Sequence, residues 1–288
     1  MKTRFIVNPR SGRATRALPE VRAFAEKHGA SVHLTERPRH ARELAAEALR
    51  DGCTLVVAVG GDGTMNEVAT ALVGADATLG LVPCGSGDGL GRHLGMHGTI
   101  AHALGVVRSG VPRSIDTGLA DGHAFFAVAG LGFEAEIARR FNRLQRRGFF
   151  RYLTTSAATL RQWKPETLTL VHADRPETLR AFTLAIANTA QYGNGARIAP
   201  DARIDDGLLD LVAVGPIGLF NAVPLVVRLF AGSLARSRHI VARRASRFVI
   251  ERAAPGPIHT DGEIHEAGTR IEFSLRPASL RVLVPSPG

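Results

Sequence analysis

The first 118 residues alternate between short apolar runs and stretches in which apolar residues recur every three or four positions. The run from Leu55 to Val59 predicts a strand that is buried on both faces. Val68, Ala71 and Leu72 then fall on one face of a predicted helix. Similar patterns predict strands at 4–7, 30–35 and 78–82, and helices around 21–25, 41–49 and 99–108. Repeated strand–helix units predict a parallel, three-layer α/β domain with ligands at the carboxyl ends of its strands.

From about residue 119 the pattern changes to short β candidates separated by turn residues. These candidates lie at 124–130, 168–172, 182–188, 208–214, 248–251, 258–260, 271–275 and 280–284. Their density predicts a mainly antiparallel β-sandwich, interrupted by helical inserts at 134–163 and 219–234. We therefore divide the chain into an α/β domain over 1–118 and a β-sandwich domain over 119–288.

The charge of the chain is less ordinary than its composition. Of the 288 residues, 45% are hydrophobic and 22% are charged, and Lys plus Arg outnumber Asp plus Glu by 36 to 26. A net charge of +10 suits an anionic partner such as nucleic acid, a nucleotide or an acidic membrane surface. A generally arginine-rich composition would give the same number. We find no nucleic-acid-binding motif and expect no nucleic-acid partner.

The sequence predicts a cytoplasmic protein. No stretch reaches the roughly 18 uninterrupted apolar residues of a membrane-spanning helix. The apolar run near the N-terminus is too short for a signal peptide and is typical of a first strand. The two cysteines, Cys53 and Cys84, form no metal-binding pattern, and so small a number is typical of a reducing compartment.

A glycine-rich segment follows the central strand. Gly60, Gly61 and Gly63 lie there, with Asp62 among them and Thr64 opening the next helix. A strand, a glycine turn and a helix place free backbone N–H groups at a helix N-terminus, where the helix dipole favours an anion. Glycines also allow a phosphate to approach the backbone closely. The carboxylate of Asp62 would repel a phosphate, so we expect it to hold a cation or to orient a hydroxyl.

The run Gly-Gly-Asp-Gly-Thr at 60–64 resembles the nucleotide-phosphate loop of the diacylglycerol kinase catalytic-domain superfamily. That superfamily includes bacterial lipid kinases and sphingosine kinases, with NAD kinases and phosphofructokinases as more distant relatives. The continuation Met65-Asn66-Glu67 is similar to the lipid-kinase branch. The resemblance implies an ATP-binding set that comprises Asn8, Pro9, Arg10, Ser11, Gly12, Thr35, Gly60, Gly61, Asp62, Gly63, Thr64, Met65, Asn66 and Ser86.

The second glycine-rich loop, residues 85–92, departs from the family pattern. Diacylglycerol kinases typically show Gly-Thr-x-Asn-Asp here. This chain has Ser86 in place of the threonine, Asp88 in place of the asparagine and Gly89 in place of the aspartate. Ser86 keeps the hydroxyl of the threonine. The Gly-Ser-Gly-Asn loop of sphingosine kinases is more similar. The departure argues against diacylglycerol as the acceptor lipid and has less effect on the expectation of ATP binding.

The segment 199–210 is similar to a motif that holds a structural Mg²⁺ in the bacterial kinases. Carried over by position, the resemblance implies the carboxylate of Asp206 and the backbone carbonyls of Arg203 and Leu208 as ligands. Oxygen ligands of this kind are those that Mg²⁺ prefers. An acidic β-turn before a strand is the alternative explanation of the same residues.

Two carboxylates lie on the turn Thr260-Asp261-Gly262-Glu263. In the family, a matching Asp-Gly-Glu supplies the general base from its glutamate, which implies a catalytic Glu263 with Asp261 beside it. Asp62 is the competing base, because sphingosine kinases are thought to use the equivalent loop aspartate. Without the resemblance, Asp-Gly would be an ordinary hairpin turn.

Arginines are interleaved with aromatic residues over 139–152. This pattern suits a surface that meets anionic lipid headgroups. A solvated basic helix with its aromatic residues in the core would give the same pattern.

Together, these features predict an ATP- and Mg²⁺-dependent lipid kinase that acts on a diacylglycerol-like or sphingoid-like lipid. We expect peripheral contact with an anionic membrane surface, and we allow for a homodimer. One alternative is an NAD kinase-like enzyme, which fits poorly with Asn66-Glu67 directly after the glycine loop. The other is an inactive nucleotide- or lipid-binding regulatory protein, against which the retention of Asp62, Asp261 and Glu263 argues.

Overall fold

The computed structural model describes residues 2–85, 87–142, 159–160, 163–173 and 175–286. The chain divides into two units. The first comprises Met1–Thr117 and Pro277–Gly288, and the second comprises Gly118–Arg276. Residues 277–286, which we assigned to the second domain from the sequence, thus lie in the first unit. They do so because Arg281 and Val282 pair with a strand of that unit.

The first unit contains a parallel sheet with helices between its strands. The strands are β1 Thr3–Val7, β2 Ser31–Leu34, β3 Leu55–Gly60 and β4 Thr78–Pro83. The helices are α1 Ala14–Lys27, α2 His40–Arg50, α3 Asp62–Leu72, α4 Gly89–His93 and α5 Ile100–Ser109. The strand order is β2-β1-β3-β4, followed by the end of the last strand of the chain, and the neighbours are parallel. Helices α1 and α5 pack together, as do α2 and α3, which gives the three layers predicted from the sequence.

The second unit is an antiparallel β-sandwich. Its elements begin with β5 Val111–Ala120, β6 His123–Phe125, β7 Val128–Gly132, α6 Phe133–Asn142, β8 Glu166–His172, β9 Arg175–Ala181, β10 Thr183–Ala187 and β11 Leu209–Val214. They continue with α7 Leu219–Phe230, β12 Ile240–Ala245, β13 Arg247–Arg252, β14 Gly256–Thr260, β15 Glu263–Ala267 and β16 Arg270–Val284. One sheet has the order β12-β11-β10-β7-β14-β15, and β16, β13, β8 and β9 form neighbouring pairs in the other. Strands β5 and β16 each continue into the first unit.

The core of the second unit lies between these two sheets. Leu131, Leu184 and Leu211 come from the six-stranded sheet, and Phe248 and Phe273 from the other. All five side chains are almost completely buried. Apolar side chains from the inner faces of two packed sheets fill the core of a β-sandwich in this way.

The fold class is therefore confirmed, whereas several element boundaries were wrong. The segment 124–130 contains two strands, and the candidates at 271–275 and 280–284 are one strand, β16. The second glycine-rich loop gives way to helix α4 at Gly89. Helix α7 ends at Phe230, before a 3-10 turn at Leu234–Arg236. Of the insert predicted at 134–163, α6 ends at Asn142, and most of the remainder lies outside the described residues.

Candidate active site

The carboxyl ends of four strands in the first unit lie side by side. Val7 at the end of β1 pairs with Leu34 in β2 and with Val59 in β3, while Gly60 pairs with Pro83 in β4. The residues that follow these ends carry most of the predicted nucleotide-binding set. The structure therefore brings the loops that begin at residues 8, 35, 61 and 84 to one edge of the sheet, where open α/β sheets bind their ligands.

Asn8 and Thr64 tie the first loop to the start of α3. The Asn8 Nδ2 donates to the Thr64 Oγ1 at 3.1 Å, and the Asn8 Oδ1 accepts from the backbone N–H of Arg10 at 3.1 Å. Thr35 is nearly buried, and its N–H donates to the Val7 carbonyl at 2.9 Å. These contacts fix the shape of the loops.

Glycines allow the backbones of the loops that begin at residues 8, 61 and 84 to touch. A Cβ on Gly12, which has φ +49°, would lie 2.1 Å from the Cys84 carbonyl oxygen. A Cβ on Gly85 would lie 2.9 Å from the Cα of Gly61. At Gly63 the surroundings differ, because an added Cβ would meet no atom within 4 Å. Gly12 and Gly85 are thus explained by packing inside the protein, whereas Gly63 is open to an incoming group.

The N-terminus of α3 presents backbone N–H groups at this edge. The first hydrogen bond of the helix runs from the Met65 N–H to the Gly61 carbonyl at 3.1 Å. The N–H groups of Asp62, Gly63 and Thr64 precede it and have no partner within the helix. The Met65 side chain is buried in the core, and its N–H is used by the helix, so Met65 offers little to a ligand.

Two aspartates, Asp62 and Asp88, interact near this helix end. The Asp62 Oδ1 accepts from the Gly89 N–H at 3.3 Å. Asp88 is 2% exposed, and burial raises the pKa of its carboxyl to about 6. The charge of Asp62 raises this pKa further, while His97, whose Nδ1 lies 3.4 Å from the Asp88 Oδ2, lowers it. Ser86, predicted to contact the nucleotide, lies outside the described residues.

Glu67 has a role that the sequence analysis missed. Its carboxylate accepts from the backbone N–H groups of Arg39, Ala41 and Arg42 at 3.2, 3.0 and 3.4 Å. It therefore caps the N-terminus of α2, for which Arg39 has no acceptor of its own. The sequence shows that α2 starts without a capping side chain, which signals that the cap comes from elsewhere. Nothing in the sequence indicates that it comes from a residue 26 positions away.

The Asp-Gly-Glu turn joins β14 to β15 in the second unit. Asp261 and Gly262 have φ values of +50° and +87°, as a tight hairpin requires. The Asp261 carboxylate accepts from the N–H groups of Phe126, Ala127 and Val128 at 2.7, 2.9 and 2.9 Å. Burial raises the pKa of Asp261, and the three N–H groups act in the opposite direction. Asp261 is thus engaged in holding a loop.

Glu263 differs from Asp261 in its surroundings. It is exposed at the start of β15, opposite Thr260 on β14. Its side chain makes no hydrogen bond or ion pair with the part of the chain that the structure describes. Of the two carboxylates on the turn, Glu263 is the one available to a substrate.

Behind the turn lies a polar network that the sequence did not reveal. The Nδ1 of the buried His259 accepts from the Gly262 N–H at 3.4 Å, and its Nε2 lies 3.2 Å from the Glu134 Oε1. The Tyr192 hydroxyl contacts the other oxygen of Glu134. These contacts connect the turn to the start of α6 and limit its movement.

In the turn predicted to bind magnesium, an arginine pairs with the carboxylate of Asp206. The Asp206 Oδ1 accepts from the Leu208 N–H at 3.1 Å, and its Oδ2 contacts Arg244. The Arg244 Nε lies 3.1 Å from the Asp210 Oδ1. Burial raises the pKa of Asp210 to about 6, while Arg244 lowers it. The cation that these two carboxylates share is a guanidinium.

Two family models together span nearly the whole chain. The one described as the diacylglycerol kinase catalytic domain matches residues 2–120. The one described as the YegS C-terminal NAD kinase beta sandwich-like domain matches residues 127–284. The chain belongs to the diacylglycerol kinase family of lipid kinases.

Relatives in this family align along most of the chain. A protein of Mycobacterium tuberculosis named diacylglycerol kinase is 30% identical, over 100% of this chain and 96% of its own length. A Pseudomonas fluorescens protein named "Probable lipid kinase YegS-like" is 32% identical, over 92% of this chain and 91% of its own. The crystal structure of a diacylglycerol kinase from Bacillus anthracis has a TM-score of 0.75 at 18% identity, over 98% of this chain and 96% of that chain, and shares the fold.

The family resemblance assigns a structural Mg²⁺ to Arg203, Asp206 and Leu208, and in the structure the one carboxylate of this set already pairs with Arg244. A metal ion would have to displace Arg244 from Asp206. The magnesium assignment therefore stays a prediction with a competing cation in its place.

We expect removal of divalent metal with EDTA to leave the melting temperature of the protein unchanged, because Arg244 already balances Asp206 and Asp210. Arg244→Met should lower the free energy of unfolding by about 1–3 kcal/mol, since the mostly buried Asp210 loses its partner. Added Mg²⁺ should restore part of this loss. Arg243→Met is the matched control and should cost about 1 kcal/mol or less, because its partner Glu177 is more exposed than Asp206 or Asp210. A wild-type melting temperature that falls in EDTA would instead support the metal site.

The lipid-facing segment predicted at 139–152 is described only at its start. Arg139 and Arg140 each form an ion pair with Glu136, at 2.7 and 2.6 Å. Residues 143–152 lie outside the described residues, so the proposed role of this segment in lipid binding stays a prediction. None of the described helices is both long enough and apolar enough to cross a membrane.

Proposed function

We propose that this protein transfers the γ-phosphoryl group of ATP to a hydroxyl of a diacylglycerol-like or sphingoid-like lipid. The observation that carries the proposal is the N-terminus of α3, where three N–H groups and the open Gly63 lie among interlocked loops of a lipid-kinase family fold. Such an end favours phosphate through both its dipole and its unpaired donors. The names of the relatives favour a lipid as the acceptor.

Each loop residue has a definite task in this proposal. The N–H groups of Asp62, Gly63 and Thr64 bind phosphate oxygens, and Asn8 holds Thr64 in place. Asp62 is the carboxylate suited to the Mg²⁺ that accompanies ATP. When bound, that ion supplies positive charge to the phosphoryl oxygens. Positioning and electrostatics of this kind supply most of the acceleration in phosphoryl transfer.

Glu263 takes the proton of the attacking lipid hydroxyl in this proposal. Its exposed carboxylate has no competing partner among the described residues. Asp261 and His259 act as positioning residues, because Asp261 ties the turn to the backbone of residues 126–128 and His259 binds the Gly262 N–H. A base of this type contributes about 10²–10⁴-fold to a rate. Asp62 is the alternative base.

Incubation of the purified protein with labelled ATP and a panel of lipids tests the reaction directly. Diacylglycerol, sphingosine and monoacylglycerol are the lipid arms, and NAD is a separate arm. Label in a lipid product supports the proposal. Label in NADP would show the NAD kinase alternative, and ATP binding without transfer to any acceptor would show a regulatory protein.

We expect Gly63→Ala to weaken ATP binding by about tenfold or more. The added methyl group fits within the protein, so it would interfere only with a phosphate that approaches this backbone. The fold should be retained, since alanine is favourable in a helix. Gly105→Ala in α5 is the matched control, because its added Cβ also meets no atom within 4 Å. Isothermal titration calorimetry with ATP measures both; equal affinity in the two variants would show that Gly63 does not face the nucleotide.

A further inference from the structure

Helix α7 exposes an apolar stripe. Val223, Val226, Val227 and Phe230 are 68%, 52%, 61% and 51% exposed. Their spacing of three, four and seven positions places them on one face of the helix. Isolated exposed apolar residues are common, but four on one helical face form a patch that is typical of an interaction surface.

The opposite face of α7 is fixed to the second unit. Leu225 is buried in a cluster with Ala185, Val212 and Val214, and Leu229 packs against the same cluster. The Leu229 carbonyl accepts from the Arg197 N–H at 3.0 Å. The exposed stripe therefore belongs to an anchored helix and has a fixed direction.

The chain around this stripe is strongly basic. Residues 211–250 contain six arginines and no aspartate or glutamate. Three of the six arginines form ion pairs with acidic residues from elsewhere in the second unit, namely Arg243, Arg244 and Arg247. The other three, Arg228, Arg236 and Arg238, have no ion-pair partner within the described residues. Arg228 lies on α7, and the 3-10 turn that contains Arg236 packs against it.

We propose that α7 is the membrane-contacting element of this protein, and that it places its apolar stripe among the headgroups of an anionic lipid surface. This inference rests on the proposed function, since a kinase of a membrane lipid meets its substrate at a bilayer. An apolar stripe with unpaired cations beside it is the composition of an interfacial helix. The arginines attract anionic headgroups while the valines and Phe230 leave water.

Charge also argues against a second copy of the chain as the occupant. A two-fold symmetric contact through α7 would place the same stripe opposite itself. It would then bring the unpaired arginines of one copy close to those of the other. An anionic bilayer is complementary to both the apolar and the cationic parts of the surface.

Co-sedimentation with vesicles tests this proposal without any need for catalysis. The wild-type protein should bind phosphatidylcholine vesicles that contain phosphatidylglycerol, more weakly as salt is raised and more weakly without the anionic lipid. The double variant Val223→Ser/Val227→Ser should lose at least tenfold in vesicle affinity. Val111→Ser is the matched control, because Val111 is 39% exposed in the first unit, and it should bind as the wild type does. Arg236→Gln/Arg238→Gln should reduce the dependence on anionic lipid.

Two further measurements separate the possible failures. Phosphorylation of a short-chain, water-soluble diacylglycerol should be unchanged in the valine variant, whereas phosphorylation of vesicle-borne lipid should fall. Vesicle binding by a protein that phosphorylates none of the lipids would reject the proposed reaction and leave the surface assignment intact. Unchanged vesicle affinity in the valine variant would overturn the assignment. Conversion of a dimer into a monomer, seen by sedimentation velocity, would also overturn it, because a second copy would then cover the stripe.

Discussion

Replacement of Glu263 by glutamine is expected to lower kcat for lipid phosphorylation by about 10²–10⁴-fold, an increase of about 3–5 kcal/mol in the barrier. Glutamine keeps the shape of the side chain but cannot accept the proton of the attacking hydroxyl. The affinity for ATP should barely change, because the N–H groups that we propose to bind phosphate belong to α3. Steady-state kinetics with a lipid substrate, together with calorimetric titration of ATP, measures both quantities.

Asp62→Asn and Asp261→Asn provide the comparisons. If Asp62 acts through the cation, its variant should change the Mg²⁺ dependence and the ATP affinity together with the rate. Asp261→Asn should mainly lower stability, since an amide cannot accept from all three N–H groups that bind the carboxylate. Near-normal turnover in Glu263→Gln, combined with a purely catalytic loss in Asp62→Asn, would assign the base to Asp62.

Replacement of Asp88 by asparagine is expected to stabilise the protein at pH 8 by at most about 3 kcal/mol. Its pKa rises from 3.8 to about 6 in the folded protein, and each unit corresponds to about 1.4 kcal/mol. Above pH 6 the carboxyl is ionised in both the folded and the unfolded state, and the folded state bears the full cost. The cost shrinks as the pH falls towards 3.8 and is absent below it. Asparagine also tolerates the φ of +54° at this position.

Urea denaturation of both proteins at pH 4 and pH 8 measures this effect. The difference in the free energy of unfolding should be large at pH 8 and close to zero at pH 4. The variant should also bind ATP more tightly at pH 8, because a negative charge beside Asp62 is removed. The groups that interact with Asp88, namely Asp62, Arg92 and His97, are unchanged in the variant. An equal difference at both pH values would show that folding does not change the pKa of Asp88.

The sequence predicted the central elements of the fold well because these elements are buried. Strand β3 is buried at every position, so its residues are apolar without interruption. Of the strands that were missed, β9, β12 and β15 lie at the edges of their sheets, whereas β5 pairs with β16 and β6. Edge strands carry charged residues that discourage pairing with other chains, and such residues hide the alternation that marks a strand. The sequence of β12, Ile-Val-Ala-Arg-Arg-Ala, is an example.

For the candidate site, local motifs were predictable and long-range contacts were not. The loops that begin at residues 8, 35, 61 and 84 lie at the carboxyl ends of strands, where the α/β pattern predicted them. In contrast, the three N–H groups that bind Asp261 come from residues more than 130 positions away. The pairing of Arg244 with Asp206 likewise depends on strand β12, which the sequence did not reveal. Contacts of this kind follow from the topology of the sheets, which no local pattern encodes.

Strand β16 has a consequence for how the protein is made. Near its end, Arg281 and Val282 pair with β4, so a late part of this sequence completes the parallel sheet of the first unit. During translation, the segment 1–117 leaves the ribosome long before the strand that borders β4 is available. A fragment that ends at residue 118 would keep every loop that we propose to bind phosphate and still expose an unpaired sheet edge, which favours aggregation. Expression of the first unit alone therefore calls for a circular permutation that carries residues 277–286 along with it.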